Sequence, residues 1–146
     1  MAGSTETVEQ IAEKAVQNGK PRKATFADLT RKPRRKIEFT ITTVDEEGTT
    51  IEVGMRFKAL NPDEYDEVVA AHPPKPADKQ KGAIFNIDTF APALISAVSD
   101  DPPLSYEEAA EIYKSKAWSS GEMTSLFLYA QRVCNSGLDI PFNDRG

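Results

Sequence analysis

The chain has 146 residues, of which 39% are hydrophobic and 28% are charged, and its formal net charge is −5. This length supports one domain with a modest core plus tails, and the composition is typical of a small polar protein. No run of eighteen apolar residues occurs, which argues against a membrane-spanning helix, and the N-terminal residues lack the pattern of a secretory signal. A single cysteine, Cys134, leaves no disulfide framework within the chain.

The charge is distributed unevenly. Residues 1–36 carry nine Lys and Arg against four Asp and Glu, whereas the remainder carries nine against nineteen. A basic arm on an acidic body predicts an electrostatic contact within the chain, with a second copy of it, or with a partner. The tract over residues 31–36 could contact phosphates, but it lacks interleaved aromatic residues and the acidic body would repel nucleic acid, so we favour a protein surface.

Two regions are predicted along the chain. Residues 1–35 read as an N-terminal helix followed by a mobile basic arm, and residues 36–146 read as one α+β domain. In the first region, a narrow apolar stripe predicts a helix over residues 5–18. The Lys- and Arg-rich connector over residues 19–36 is expected to be mobile, with a short turn over residues 25–29.

The α+β domain opens with a predicted β-hairpin over residues 36–58. Apolar and polar residues alternate over residues 36–44 and again over residues 50–58, and the acidic turn between them ends in Gly48. The hairpin therefore has one apolar face and one wet face. Because a lone hairpin is marginal in water, the apolar face must lie on helices or the edge must pair with another strand.

The helical part is predicted over residues 61–146. Asn61 followed by Pro62 is a strong helix start, and this helix is expected to end near Ala71. Closely spaced prolines over residues 72–76 then predict a loop that runs to about Gly82.

Three further signals fix the rest of the helical part. Hydrophobic residues over 83–99 predict a helix from about residue 89, which Asp88 or Asn86 can cap and in which Pro92 fits the first turn. Capping boxes at Ser105–Glu108 and Ser119–Glu122 open two more helices. The second of these carries the clearest apolar face, is expected to end with Gly137 in a left-handed conformation, and is predicted to be the element on which the others pack.

The inventory of reactive groups is poor. The one histidine, His72, lies in the proline-rich segment, and the serines with a clear local role are helix caps. No phosphate-binding glycine loop and no metal-ligand spacing occur. The sequence therefore predicts no catalytic, cofactor-binding or metal-binding site, and it argues against an enzyme.

Large apolar residues in the helical part are the candidates for contact with a partner. For each of them, a place in the hydrophobic core is the alternative, since a chain this small has few other large side chains to fill one. The candidates are Phe85, Phe90, Trp118, Phe127, Leu138, Ile140 and Phe142.

Several ordered short motifs over residues 55–146 carry a family resemblance. They are Phe57-Lys58-Ala59-Leu60-x-x-x-Glu64-Tyr65, Ala70-Ala71-His72-Pro73-Pro74, Asp88-Thr89-Phe90-x-Pro92-Ala93-Leu94-Ile95, Trp118-Ser119-x-Gly121-Glu122 and Gly137-Leu138-Asp139-Ile140-Pro141-Phe142. Together they resemble the tail assembly chaperones of long-tailed, siphovirus-type phages that infect actinobacteria. The arm and the hairpin resemble that family only in general plan.

The resemblance implies a function in viral morphogenesis. Such chaperones bind the long, apolar, helical tape measure protein in the host cytoplasm, keep it soluble while the tail tube polymerises, and are absent from the mature virion. A longer form made by ribosomal frameshifting recruits the tail tube protein, and this chain resembles the short form. The alternatives are a structural tail or head–tail connector protein of the virion, and a small nucleic-acid-binding regulator that uses residues 31–36.

Overall fold

The computed structural model describes residues 21–138, so the predicted helix over residues 5–18 and the tail beyond Leu138 lie outside the described part. The helices described there are α1 (Phe26–Thr30), α2 (Pro62–Ala70), α3 (Pro76–Gln80), α4 (Ile87–Val98), α5 (Tyr106–Lys114) and α6 (Ser120–Asn135), and the strands are β1 (Lys36–Val44), β2 (Thr50–Lys58) and β3 (Ser99–Asp101). This α+β arrangement of a hairpin with helices confirms the predicted fold class. Within residues 21–138, no helix combines the length and the apolar character needed to cross a membrane.

The chain divides into two compact units, Met1–Pro33 and Arg34–Gly146. In the first unit, the turn predicted over residues 25–29 is the short helix α1. Thr25 and Asp28 form a capping box at its start. Arg22 also donates two hydrogen bonds, of 2.7 and 2.8 Å, to the Asp28 carboxylate, and these hold the pKa of Asp28 well below its usual range.

The second unit begins with the sheet, whose strand order is β1-β2-β3. β1 and β2 pair in the antiparallel register from Lys36↔Lys58 to Val44↔Thr50, and Gly48 takes a φ of +85° in the turn. These bounds confirm the predicted hairpin. β3, which the sequence analysis did not predict, pairs antiparallel with β2 opposite Arg56 and Phe57.

Burial changes along the apolar face of the hairpin. On β2, Phe57 and Met55 are buried, whereas Val53 and Ile51 on the same face are 40% and 36% exposed. The helices therefore cover the hairpin at the end that holds Phe57 and leave the half nearer the turn open to solvent. Val53 and Ile51 therefore present apolar surface next to the part of the hairpin that the helices cover.

The most buried element is α4, not α6 as the sequence analysis expected. Six of its twelve residues are buried, and the helix packs against α2, α5 and α6. α6 contributes Leu126, Ala130 and Val133 to the same core and also packs on β1 and β2. α6 has the stronger sequence signals because its capping box is formed by residues that are close together in the sequence. α4 is more buried because it packs against three other helices, α2, α5 and α6.

Local capping chemistry was predicted well. Capping boxes are present at Asn61, Ser105 and Ser119, each with a side-chain oxygen that accepts the backbone N–H three residues later. The left-handed stop at Gly137 is wrong, because α6 ends at an extended Ser136 and Gly137 has no positive φ.

Two helix boundaries near prolines also differ from the predictions. Asn86, one of the two predicted cap candidates, caps α4, so the helix begins at Ile87 rather than at about 89 and Pro92 is inside it. Because Pro92 has no N–H, it cannot donate the helical hydrogen bond to the carbonyl of Asp88, and Asp88 is an exposed residue. The predicted loop over residues 72–82 contains α3, because Pro76 occupies a first-turn position where a missing N–H costs nothing.

An ion pair joins β3 to β2 and gives a pH-dependent prediction. Arg56 Nε donates to Asp100 Oδ2 at 2.7 Å, and this hydrogen bond lowers the pKa of the Asp100 carboxyl. The resulting stabilisation is complete above the unfolded pKa of 3.8 and is lost as the pH falls through the lower folded pKa. We expect Asp100→Asn to show a smaller fall in urea midpoint than the unaltered chain when the pH is lowered from about 6 to about 3. An equal fall in both proteins would contradict this role.

Candidate partner-binding site

Reactive groups in the described part of the chain are engaged in structural contacts. His72 stacks on the ring of Tyr106 with centroids 6.3 Å apart. The half-buried Cys134 Sγ accepts the Leu60 N–H at 3.5 Å, and burial raises the pKa of this thiol. Among residues 21–138, no group of three or more His, Cys, Asp or Glu side chains could hold a metal ion.

One apolar cavity, which we call the helical cleft, lies between α4, α5 and α6. Its volume is about 470 Å³, and it is open to solvent. Its lining is mainly apolar and comprises Ile87, Asp88, Ala91, Tyr113, Met123, Thr124 and Phe127. Ile87 is 47% exposed at its rim, so the apolar character continues onto the surface. The flexible side chain of Met123 at such a site adapts to the shape of an incoming apolar group.

Three phenylalanines form the wall behind the helical cleft. The rings of Phe85 and Phe90 stack with centroids 4.1 Å apart, and Phe127 meets both edge-on at 6.4 and 6.0 Å. Phe90 is completely buried, whereas Phe85 and Phe127 are half-buried. Edge-to-face contacts of this kind add to the stabilisation from area burial and keep the wall in one arrangement.

A second cavity, which we call the strand groove, lies between β1 and the first half of α6. Its volume is about 560 Å³. Apolar side chains of Phe39, Ile41, Trp118, Leu126 and Tyr129 line it together with polar residues of β1 and of the α6 cap. Phe39 and Tyr129 meet across it with ring centroids 4.9 Å apart, so the sheet and the helix are in direct contact at its base.

The candidate residues differ in where they lie. Phe127 lines the helical cleft, Phe85 lies behind it, and Trp118 lines the strand groove. Phe90 has no exposed surface, so its contacts in this structure are with the core. Leu138 is 80% exposed, and Ile140 and Phe142 lie outside the described residues.

Sequence reasoning missed the other residues of the two cavities. Ile87 and Met123 lie in the first turns of α4 and α6, where the sequence analysis interpreted the capping residues only. Tyr129 lies off the apolar stripe of α6, although it is three residues after Leu126 and four before Val133. Its spacing to those residues was the available signal, since neighbours at three and four residues share a helix face.

The basic tract is partly used within the chain. Arg34 Nη1 donates to Glu64 Oε1 at 2.8 Å, and Glu64 also closes the capping box of α2. Arg35 donates through Nη2 to the carbonyl oxygen of Gly137. The sequence left three contacts open for this tract: one within the chain, one with a second copy and one with a partner. The described residues show the contact within the chain.

Comparison with protein-family models, with curated proteins and with solved structures found no match to this chain.

Proposed function

We propose that this chain is a phage tail assembly chaperone that binds the tape measure protein and keeps it soluble during tail tube polymerisation. The motif resemblance over residues 55–146 motivates the proposal. The observation that carries it structurally is the helical cleft, an open apolar cavity with a preformed aromatic wall. Its neighbourhood exposes further apolar surface at Ile84 and Ile87, which are 68% and 47% exposed.

A helical client suits this cavity. An amphipathic or apolar helix binds by laying anchors at every third or fourth residue into a groove lined by apolar side chains. The helical cleft offers Phe127 and Met123 as walls for one such anchor. The net charge of −5 keeps the complex soluble while the apolar client is covered.

The wider assignment follows from the same proposal. As a chaperone the chain acts in the host cytoplasm, is not an enzyme and is absent from the mature virion. It is the short form of a frameshifted pair, and the longer form brings the tail tube protein to the covered tape measure protein.

Substitution at the rim of the helical cleft tests client binding. Ile87→Glu places a carboxylate in the cleft, and the first turn of α4 tolerates it because the helix dipole favours an acid there. We expect the tape measure protein to stay soluble when co-expressed with the unaltered chain and to shift to the pellet with Ile87→Glu. Leu128→Glu is the matched control, since it alters a residue of α6 that is 39% exposed and lines neither cavity. Thermal unfolding of both variants checks that they fold.

Two outcomes would contradict the proposal. One is a tape measure protein that is equally soluble, with tails that assemble equally well, in the absence of this chain. The other is a stoichiometric amount of the chain in purified virions, measured by mass spectrometry, which would support a structural tail or connector protein instead.

A further inference from the structure

β1 is an outer strand of the sheet, because within residues 21–138 β2 is the only strand beside it. At the two ends of the hairpin, the Asp45 N–H donates to the Thr49 carbonyl at 2.9 Å and the Ala59 N–H donates to the Arg35 carbonyl at 2.8 Å. Hydrogen-bonded positions alternate in an antiparallel pair, so the odd-numbered residues of β1 bond to β2. The even-numbered residues therefore direct their N–H and C=O groups to the outer edge, which is a template for another strand.

β1 has few of the features that keep an edge strand from pairing. Natural edges are protected by short length, charged side chains, prolines or bulges. β1 is nine residues long, and its register with β2 is continuous. Its charges are confined to Lys36 and Glu38, so residues 39–44 are uncharged and include no proline. The outer edge over these residues is therefore suited to accept a strand.

The strand groove lies along this edge. Its lining includes the four consecutive residues Phe39, Thr40, Ile41 and Thr42. Side chains of consecutive residues point to opposite faces of a sheet, so a cavity that touches all four reaches the side of the strand. Because β2 occupies the other side, the strand groove is open space beside the outer edge, with Trp118 and the first half of α6 across it.

The other edge of the hairpin is less suited to pairing. β3 occupies the outer side of β2 at Arg56 and Phe57, which leaves the first half of β2 without a strand on that side among the described residues. Glu52 lies in the middle of this half, and as an even-numbered residue it is one whose backbone groups face outward. Pairing of this edge with its own copy would bring two carboxylates together, and like charges directly opposite each other destabilise a sheet.

The two ends of β1 have opposite charges. Arg35 and Lys36 lie at its start, and the turn that follows Val44 contains the exposed Glu46 and Glu47. An antiparallel strand of the same sequence places its acidic turn beside this basic start, and its basic start beside this acidic turn. A parallel strand of the same sequence would place like charges side by side. Charge complementarity therefore favours a second copy of β1 in the antiparallel orientation.

We propose that two copies of this chain associate through β1, which pairs with β1 of the second copy in the antiparallel orientation about a two-fold axis at Thr40. The partner is thus a second copy of this chain, and the same surface is used on both. The register follows from length, because placing the axis at Thr40, the middle residue of β1, makes all nine residues overlap. The proposal goes beyond the proposed function and does not rest on it.

The apolar side chains agree with this register. Phe39 of one copy lies opposite Ile41 of the other, and pairs of an aromatic with a β-branched residue stabilise sheets. Both residues line the strand groove, so the second strand brings apolar side chains to a cavity whose lining is already partly apolar. Because the two-fold axis is perpendicular to the sheet, the apolar faces of the two hairpins lie on the same side, where α6 contacts Phe39 through Tyr129.

The polar side chains agree as well. On the wet face, Thr40 lies opposite Thr40 of the second copy, and Glu38 lies opposite Thr42, so like charges are not opposed within the strands. Lys36 lies opposite Val44, which is 61% exposed in the single chain. The aliphatic part of a lysine side chain covers apolar surface while its ammonium group stays in water.

Sedimentation velocity of the full-length chain, at concentrations from about 5 to about 500 µM, tests the association. We expect a reversible equilibrium between monomer and dimer. Thr40→Pro removes the N–H that donates across the axis in both copies, but Thr40 does not bond to β2, so the hairpin keeps its hydrogen bonds. We expect this variant to raise the dissociation constant of the dimer at least about tenfold.

Thr50→Pro is the matched control. Thr50 is an exposed threonine of β2 opposite Val44, so its N–H faces the other edge of the hairpin. The same change there should leave the dissociation constant of the dimer unchanged. Thr40→Lys is a second variant that keeps the backbone N–H and places two ammonium groups opposite each other at the axis, so it should also weaken the dimer. Urea denaturation checks that all three variants fold.

Isotope-filtered NMR of mixed labelled and unlabelled chains tests the register, and we expect contacts between the Phe39 ring of one copy and the Ile41 methyl groups of the other. A chain that stays monomeric up to about 500 µM would overturn the proposal. A dimer whose dissociation constant is the same in the unaltered chain, Thr40→Pro and Thr40→Lys would also overturn it. Neither result would bear on the tape measure assay with Ile87→Glu, a substitution in the helical cleft that should leave this dissociation constant unchanged.

Discussion

Phe90→Ala is expected to lower the free energy of unfolding by about 3–5 kcal/mol. Phe90, the fourth residue of α4, has 0% exposed surface. Its ring stacks on Phe85 at 4.1 Å and meets Tyr65 edge-on at 6.2 Å. Truncation removes these contacts and leaves a cavity that α2, α4 and α6 enclose, so the cost exceeds that of area burial alone. Urea denaturation of the purified variant measures it.

Phe26→Ala is the control for the same chemical change at a surface. Phe26 is 81% exposed on α1, so its truncation should change the free energy of unfolding by no more than about 0.5 kcal/mol. A loss below about 1.5 kcal/mol for Phe90→Ala would show that the surrounding side chains collapse into the space. The aromatic wall of the helical cleft would then be less rigid than the ring geometry indicates.

The contrast between Phe90 and Trp118 shows what the sequence could specify about the site. Both were candidates because they are large and apolar, but one is in the core and the other lines the strand groove. Size is a property of the residue, whereas exposure depends on which elements pack around it. The sequence therefore indicated which side chains could form a site, and the packing of α4 and α6 decided which ones do.

The elements of the fold follow the same division. Asn61, Ser105 and Ser119 were predicted as caps, because a capping box is made by residues three apart and needs no tertiary context. β3 was missed for the opposite reason. Its three residues, Ser99–Asp101, have low strand propensity and form a strand only because β2 lies beside them.

Phe57→Ala and Val53→Ala test how far the helices cover the hairpin. The two residues lie four apart on one face of β2, and Phe57 is 0% exposed whereas Val53 is 40% exposed. Phe57 also packs edge-on against Phe39 at 5.0 Å. We expect Phe57→Ala to cost about 3–5 kcal/mol of unfolding free energy. Val53→Ala should cost less than about 1 kcal/mol.

The measurement is urea denaturation of both variants with the hairpin register checked by NMR. The expected difference arises because Phe57 is enclosed by helices, while Val53 and Ile51 lie where the apolar face is open. Equal costs would mean that another part of the chain or a second copy covers the open half of the hairpin in solution. The large difference would instead show that this half of the hairpin contributes little to folding, which leaves its apolar residues available for contacts made after folding.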